Sequence, residues 1–464
     1  MQLPRLWVFG AALAGALVAV VAGVMALSPP GELIRDAEFS LNRITPNADG
    51  NDDVTEFQYT LSQNADVSLI FTAEDGTSYA FREGNRRPAG DYRVLFSGVV
   101  DGFRMPEEDW QGDLQTRLLP DGIYTWTLTA MTDDGEQAST QGQLEIAEGD
   151  PDLPLISAFD VGPRVFSPNQ DGLRDRISVN VFLEKAAQLE VYLEDQQGVR
   201  IYLPPRFGAR DPGEPGNHEY DYDGGVDQGF RPPPDGDYTI FAVAQDDEGQ
   251  RMVRTSEITI ETSGLPQVEI VPQPTGGTVC FDTAPYDPAY FTDAETQGER
   301  IAHPESVCSE LTTLSLLAGD LLVFHLAVSN YGDTPVRTAG PFPGTVYEFN
   351  QLRSSMGAYE EAGAWRVGLM CDTSESSYPW RWALGSLDEL TEVYDAERDQ
   401  TFYYLEPGAR SEVWGAVRMT EIIDARNPQP CWAGLIHEQV GIPPRQNNVG
   451  AREIELLPNP EMSN

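Results

Sequence analysis

The sequence predicts an all-β chain: tandem β-sandwich modules and a larger C-terminal β-sandwich domain, preceded by one N-terminal transmembrane helix. Three observations predict it. An uncharged apolar run opens the chain, a nine-residue motif recurs at a fixed offset, and short runs of alternating apolar and polar residues are bounded by Gly, Asp and Pro, with no helical periodicity.

The apolar run extends from Trp7 to Leu27, 21 residues without a charge, and about 20 suffice to span a bilayer as a helix. A cleaved signal peptide has a shorter apolar core of about 7–15 residues. Residues 1–28 are therefore expected to be an uncleaved signal anchor, with Val24-Met25-Ala26 as the cleavage site in the alternative. Arg5 precedes the run while Glu32, Arg35 and Asp36 follow it, which leaves the N-terminus in the cytoplasm and the bulk of the chain extracellular or periplasmic.

The repeat comes next. Thr45-Pro46-Asn47-Ala48-Asp49-Gly50-Asn51-Asp52-Asp53 matches Ser167-Pro168-Asn169-Gln170-Asp171-Gly172-Leu173-Arg174-Asp175 at an offset of 122. Each copy enters a period-two strand, Phe57, Tyr59 and Leu61 in the first and Ile177, Val179, Val181 and Leu183 in the second. Pro120-Asp121-Gly122-Ile123-Tyr124-Thr125 then matches Pro234-Asp235-Gly236-Asp237-Tyr238-Thr239 at an offset of 114, so the length difference lies in the loops between. About seven short strands with turn signals every 8–12 residues is the pattern of an immunoglobulin-like sandwich. The modules are expected over residues 33–148 and 155–262.

The order PNxDG, paired apolar strands and PDGxYT resembles the immunoglobulin-like module of flagellar hook-capping (FlgD-like) proteins. The resemblance implies a structural or spacer sandwich and brings no catalytic residues. Within the PNxDG loops, Asn47, Asp49, Asp53 and Glu56, with Asn169, Asp171 and Asp175, alternate oxygen side chains around a Gly, as in part of a calcium loop. The alternative is that these residues form Asx turns and bind nothing. Calcium is the only cofactor that the sequence raises.

The third region, residues 266–458, contains a long β run from Leu321 to Asn330, an Asn-x-Gly-Asp turn, and a later Glu406-Pro407-Gly408 turn. It loosely resembles cell-adhesion-type immunoglobulin-like domains of bacterial surface proteins. Its length implies long loops or an insertion, expected around Met356 to Asp395. Trp380 and Trp382 share one face of an extended segment and offer either a binding platform for sugars or a protein partner, or core packing. Cys280, Cys308, Cys371 and Cys431 have no metal-type CxxC spacing and, in an exported region, are expected to pair as disulfides or remain buried thiols. Of the three possible connectivities, Cys280–Cys308 with Cys371–Cys431 is preferred.

Charge limits function. Thirty Lys and Arg against 74 Asp and Glu give a net charge of −44, which repels phosphate backbones, so no nucleic-acid partner is expected. Lys185 is the single lysine, which nearly removes lysine-based covalent chemistry. His325 lies within an apolar strand and reads as a core residue. His437-Glu438 opens like a zincin motif, but Gly441 stands where its second His is needed. There is no GxSxG elbow, no GxGxxG after a strand and no Walker loop. The expected function is a non-catalytic, membrane-anchored stalk presenting a binding domain for a cell-wall, glycan or surface-protein ligand. The alternatives are a hydrolase with its site in the third region, and a structural subunit of a surface layer or appendage.

Overall fold

The period-two runs become strands with one buried face. The computed structural model describes residues 32–208, 210–273, 277–286, 300–304, 312–352, 359 and 361–460. In Thr55–Leu61 every second side chain is buried, and Ile177–Leu183 repeats the pattern at the same offset of 122. Each aliphatic or aromatic side chain turned inward in this way contributes about 1.5–3 kcal/mol by leaving water. The expected N-terminal anchor lies outside the described residues, among which no helix is long and apolar enough to cross a membrane.

Each module packs a three-stranded sheet against a larger one. In the first module, Ile34–Phe39, Thr55–Leu61 and Gly90–Phe96 face a sheet that includes Gln137–Ile146, Gly122–Met131, Ala65–Thr72 and Ser78–Arg87. In the second, Ile156–Gly162, Ile177–Leu183 and Gly216–Tyr222 face Gln188–Asp195, Gly236–Gln245 and Arg251–Ile260. Separate apolar cores fill the two sandwiches, one around Phe57, Phe71 and Trp126 and the other around Val179, Leu193 and Ile240.

The PDGxYT motif has a structural explanation in both copies. Tyr124 Oη donates to Pro120 O at 2.7 Å and Tyr238 Oη to Pro234 O at 2.9 Å, a tyrosine corner that pins the strand entry. The Asp of the motif clamps the chain leaving the module. Asp121 accepts from the backbone of Glu148 and Gly149, and Asp235 from that of Thr262 and Ser263.

The third domain packs a sheet containing Leu321–Asn330 and Arg410–Arg418 against one containing Gln429–His437 and Trp365–Cys371. The expected insertion around Met356 to Asp395 is corrected in part. Trp365–Cys371, Trp380–Ala383 and Thr391–Asp395 are strands of the second sheet, so the extra length there builds sheet and core. Cys371 and Cys431 stand opposite one another in register and are disulfide-bonded. Cys280 is also disulfide-bonded, and its expected partner Cys308 lies outside the described residues.

Candidate functional site

The two sequence-matched modules differ in a loop, and that difference makes the first joint. Between Gly98 and Pro120 the first module has 21 residues, where the second has only 9 between Gly224 and Pro234. The surplus forms the strands Val99–Asp101 and Asp113–Leu118, and the latter pairs with Arg251–Ile260 of the second module. The larger sheet of the second module is therefore extended by two strands of the first. Beneath it, the fully buried Gln250 donates to Asp152 O (2.8 Å) and to Asp246 Oδ2 (2.9 Å), and accepts from Leu118 N (3.3 Å). Lys185, the single lysine, closes the seam: its Nζ lies 2.9 Å from Asp150 and Asp246 and 3.0 Å from Glu248. Burial alone would lower its pKa, but hydrogen bonds to these carboxylates hold the ammonium above its ordinary range.

The second joint uses the PNxDG loop itself. In both copies the loop carboxylates turn onto backbone N–H groups. Asp53 accepts from Asn47, Ala48 and Gly50, and Asp175 accepts from Asp171 and Gly172. Asn47 and Asn169 each accept from the residue two positions on, as Asp49 and Asp171 do. These are Asx turns, with Gly50 (φ 87°) and Gly172 (φ 84°) in the left-handed region. Glu56 is not brought to the loop. Its carboxylate accepts from Gln58 Nε2 at 2.9 Å and sits 3.9 Å from Arg93.

The two loops differ in what covers them. A Cβ at Gly50 would meet open space, whereas one at Gly172 would overlap the carbonyl oxygen of Ala362 in the third domain. Arg337 Nε donates to Asp171 O (2.5 Å), His437 Nε2 to Gln170 O (2.8 Å) and Tyr404 Oη to Asp171 Oδ2 (3.2 Å). Burial, then the charge of Asp175, pushes the Asp171 carboxyl up to about 6. Burial likewise lowers the His437 imidazole to about 4, so it is neutral at pH 7 and its Nε2–H can donate.

These two shifts act in opposite directions on stability. A raised carboxylate pKa favours the fold at low pH and loses that contribution as pH rises through 6; a lowered imidazole pKa favours the fold above about 6.5 and loses it as pH falls toward 4. Over roughly pH 4–6 they offset. Asp171→Asn keeps the Oδ1 acceptor for Leu173 N and removes the buried charge, and its NH2 replaces the oxygen that accepts from Tyr404 Oη, a hydroxyl that can turn to accept instead. It is expected to raise third-domain stability by about 2 kcal/mol at pH 7 and to lose that gain toward pH 4. Calorimetric melting of the two proteins at pH 4, 5.5 and 7 measures the difference; a gap that does not change with pH would contradict it.

Behind this joint the third domain carries buried charge. Glu438 Oε1 accepts from Arg366 Nη1 at 3.1 Å and Oε2 from Arg381 Nη1 at 2.5 Å, with Arg366 fully buried. The zincin-like pair is thus divided, His437 serving the joint and Glu438 the arginines. The Trp380–Trp382 platform is corrected: the two are 1% and 0% exposed and offer no face to a ligand. Trp382 packs on Phe324 (4.5 Å) and donates from Nε1 to Thr345 O at 3.0 Å. An apolar indole is more stable inside a two-sheet core than on a wet surface.

One group was missed from sequence. His303 Nε2 and His325 Nε2 lie 2.6 and 3.2 Å from the same oxygen, Glu412 Oε2. His325 is buried as expected, but on the sheet face opposite the main core, beside Trp414. No local pattern joins the three, because they meet only through strand register and a docked loop.

No protein-family model matches the chain, and no curated protein matches it. Among solved structures it is similar to a Ca²⁺-stabilized adhesin with which an Antarctic bacterium binds ice, at 12% identity over 92% of this chain and 74% of that one, TM-score 0.20. It is similar also to a 1.5-MDa bacterial ice-binding adhesin (13% identity, 85% and 98% of the two chains, TM-score 0.18). A tetra-tandem repeat from the extending region of a large adhesion protein gives 10% identity, 86% and 80%, TM-score 0.15. At these TM-scores the likeness carries no argument about this chain's architecture, ligand or activity.

Proposed function

We propose that the chain is a non-catalytic, membrane-anchored surface protein. Its two immunoglobulin-like modules form a stiff stalk that holds the C-terminal domain out for adhesion or envelope contact. The observation that carries this reading is the pair of joints: a sheet shared between the modules, and a PNxDG loop seated in the third domain. Flexible links would let the distal domain wander, whereas paired strands and buried polar contacts fix its direction. The order of apolar segment, repeats and Cys-bearing distal domain supports it, as does the resemblance to FlgD-like spacer modules. The partner would be a cell-wall, glycan or surface-protein ligand met by the exterior of the third domain.

The test combines topology and binding. Protease added to intact cells, and again after the outer envelope is permeabilised, should cut within residues 33–458. The purified chain should bind cell-wall material or cells saturably, and deleting residues 266–458 should abolish that binding. Domains spared by both protease treatments would be cytoplasmic, and the proposal would fail. Turnover of polysaccharide or peptide libraries lost with the same deletion would make the chain a hydrolase.

A further inference from the structure

We propose that His303, His325 and Glu412 bind one divalent transition-metal ion of the zinc class, which clips the segment 300–304 onto the outer face of the sheet in the third domain. The argument begins with register. His325 on Leu321–Asn330 pairs with Trp414 on Arg410–Arg418, and Glu412, two residues from Trp414, shares its face. The third ligand arrives from a docked loop: Ile301 N donates to Gly344 O at 2.7 Å and Trp414 Nε1 to Ile301 O at 3.4 Å. His303 then stands edge-on to His325 (ring centroids 4.8 Å apart, 72° between planes) and to Trp414 (4.7 Å, 65°).

Ligand atoms of the three residues lie within 4.8 Å of one another. Zinc–ligand bonds of 2.0–2.2 Å in a tetrahedron require ligand atoms about 3.4 Å apart. To reach that spacing, His303 Nε2 would move about 0.8 Å and His325 Nε2 about 0.2 Å away from Glu412 Oε2, and ligand atoms as much as 4.8 Å apart would close by up to about 1.4 Å, shifts within reach of side-chain rotation at the half-exposed His303 and Glu412. Two imidazoles and a carboxylate suit zinc, nickel or copper, whereas calcium takes six to eight oxygens. On binding, each ring moves its proton from Nε2 to Nδ1 and gives the Nε2 lone pair to the metal. For His325, Nδ1 lies 3.5 Å from the Gln273 side-chain amide, whose oxygen can accept a hydrogen bond from Nδ1–H once the amide is turned over.

Access and charge agree with this assignment. The His303 and Glu412 side chains are 43% and 46% exposed while that of His325 is 10% exposed, so the site has a buried floor and an open mouth. Three protein ligands leave a fourth position for water or a group from outside. A divalent ion beside one carboxylate also relieves local negative charge in a chain of net charge −44.

The test uses the full-length protein in detergent, purified without a polyhistidine tag, stripped with chelator and titrated with zinc chloride in a calorimeter. Saturable binding of one zinc per chain is expected, with a raised melting temperature. Cobalt should give the visible absorption of a tetrahedral site. His303→Ala and Glu412→Gln, both at half-exposed positions, should each weaken zinc binding at least about tenfold, abolish the cobalt spectrum and remove the zinc-dependent rise in melting temperature measured against each variant's own melt in chelator. No saturable binding, binding that both variants retain, or displacement of zinc by equimolar calcium would each overturn the proposal. The first two outcomes would leave only adventitious binding to surface carboxylates.

Discussion

Glu438→Ala is expected to destabilise the third domain by about 3–5 kcal/mol, because it takes the carboxylate from Arg381 and one of two carboxylates from the fully buried Arg366. Arg366 would retain Glu361 Oε1 and the carbonyls of Ala339 and Gly340. Arg381 would lose its 2.5 Å partner and, among the described residues, keep the carbonyls of Tyr378 and Ser377. The loss reflects an uncompensated buried charge more than the worth of the ion pair, so replacing Glu438, Arg366 and Arg381 together by apolar residues should cost much less. Denaturant unfolding followed by tryptophan fluorescence reads both variants, since five of the eight Trp lie in this domain. A shift below about 1 kcal/mol for Glu438→Ala would mean that water reaches the arginines.

The second large effect is expected from the Cys371–Cys431 disulfide. It closes a loop of 60 residues, for which chain entropy assigns about 4 kcal/mol through restriction of the unfolded state. Both residues are fully buried between paired strands. Replacing both with Ala thus removes the cross-link with little loss of packing. Calorimetry should place the loss in the third-domain transition and leave the transitions of the two modules where they were. Because Cys280 is bridged separately, the double variant isolates this bond where a reductant would not. A shift spread over all three domains would mean that they melt as one cooperative unit.

Local pattern carried much of the fold. Alternation in Thr55–Leu61 and Ile177–Leu183, the recurrence at 122, and the PDGxYT corners are short-range features, legible because a strand shows its buried face within a few residues. That cysteines pair was legible from composition, whereas the choice of Cys431 for Cys371 among three connectivities was a preference that only strand register settles. The alternatives left open for Trp380 and Trp382, platform or core, were decided for the core, and the sequence could not decide them for a corresponding reason. Period two says that both rings share a face, but not whether that face meets water or a second sheet.

The sequence by itself determined that this is an acidic, Lys-poor, repeated β chain, since charge, composition and strand period need no partner segment to be read. Only the tertiary structure decided that the second PNxDG loop is a joint while the first stays open, because its contacts to Arg337, Tyr404 and His437 span 166, 233 and 267 positions. Only it brought His303 and His325 to Glu412, across 109 and 87 positions. Contacts of that range depend on register and on how loops dock, and neither leaves a periodic trace in the sequence.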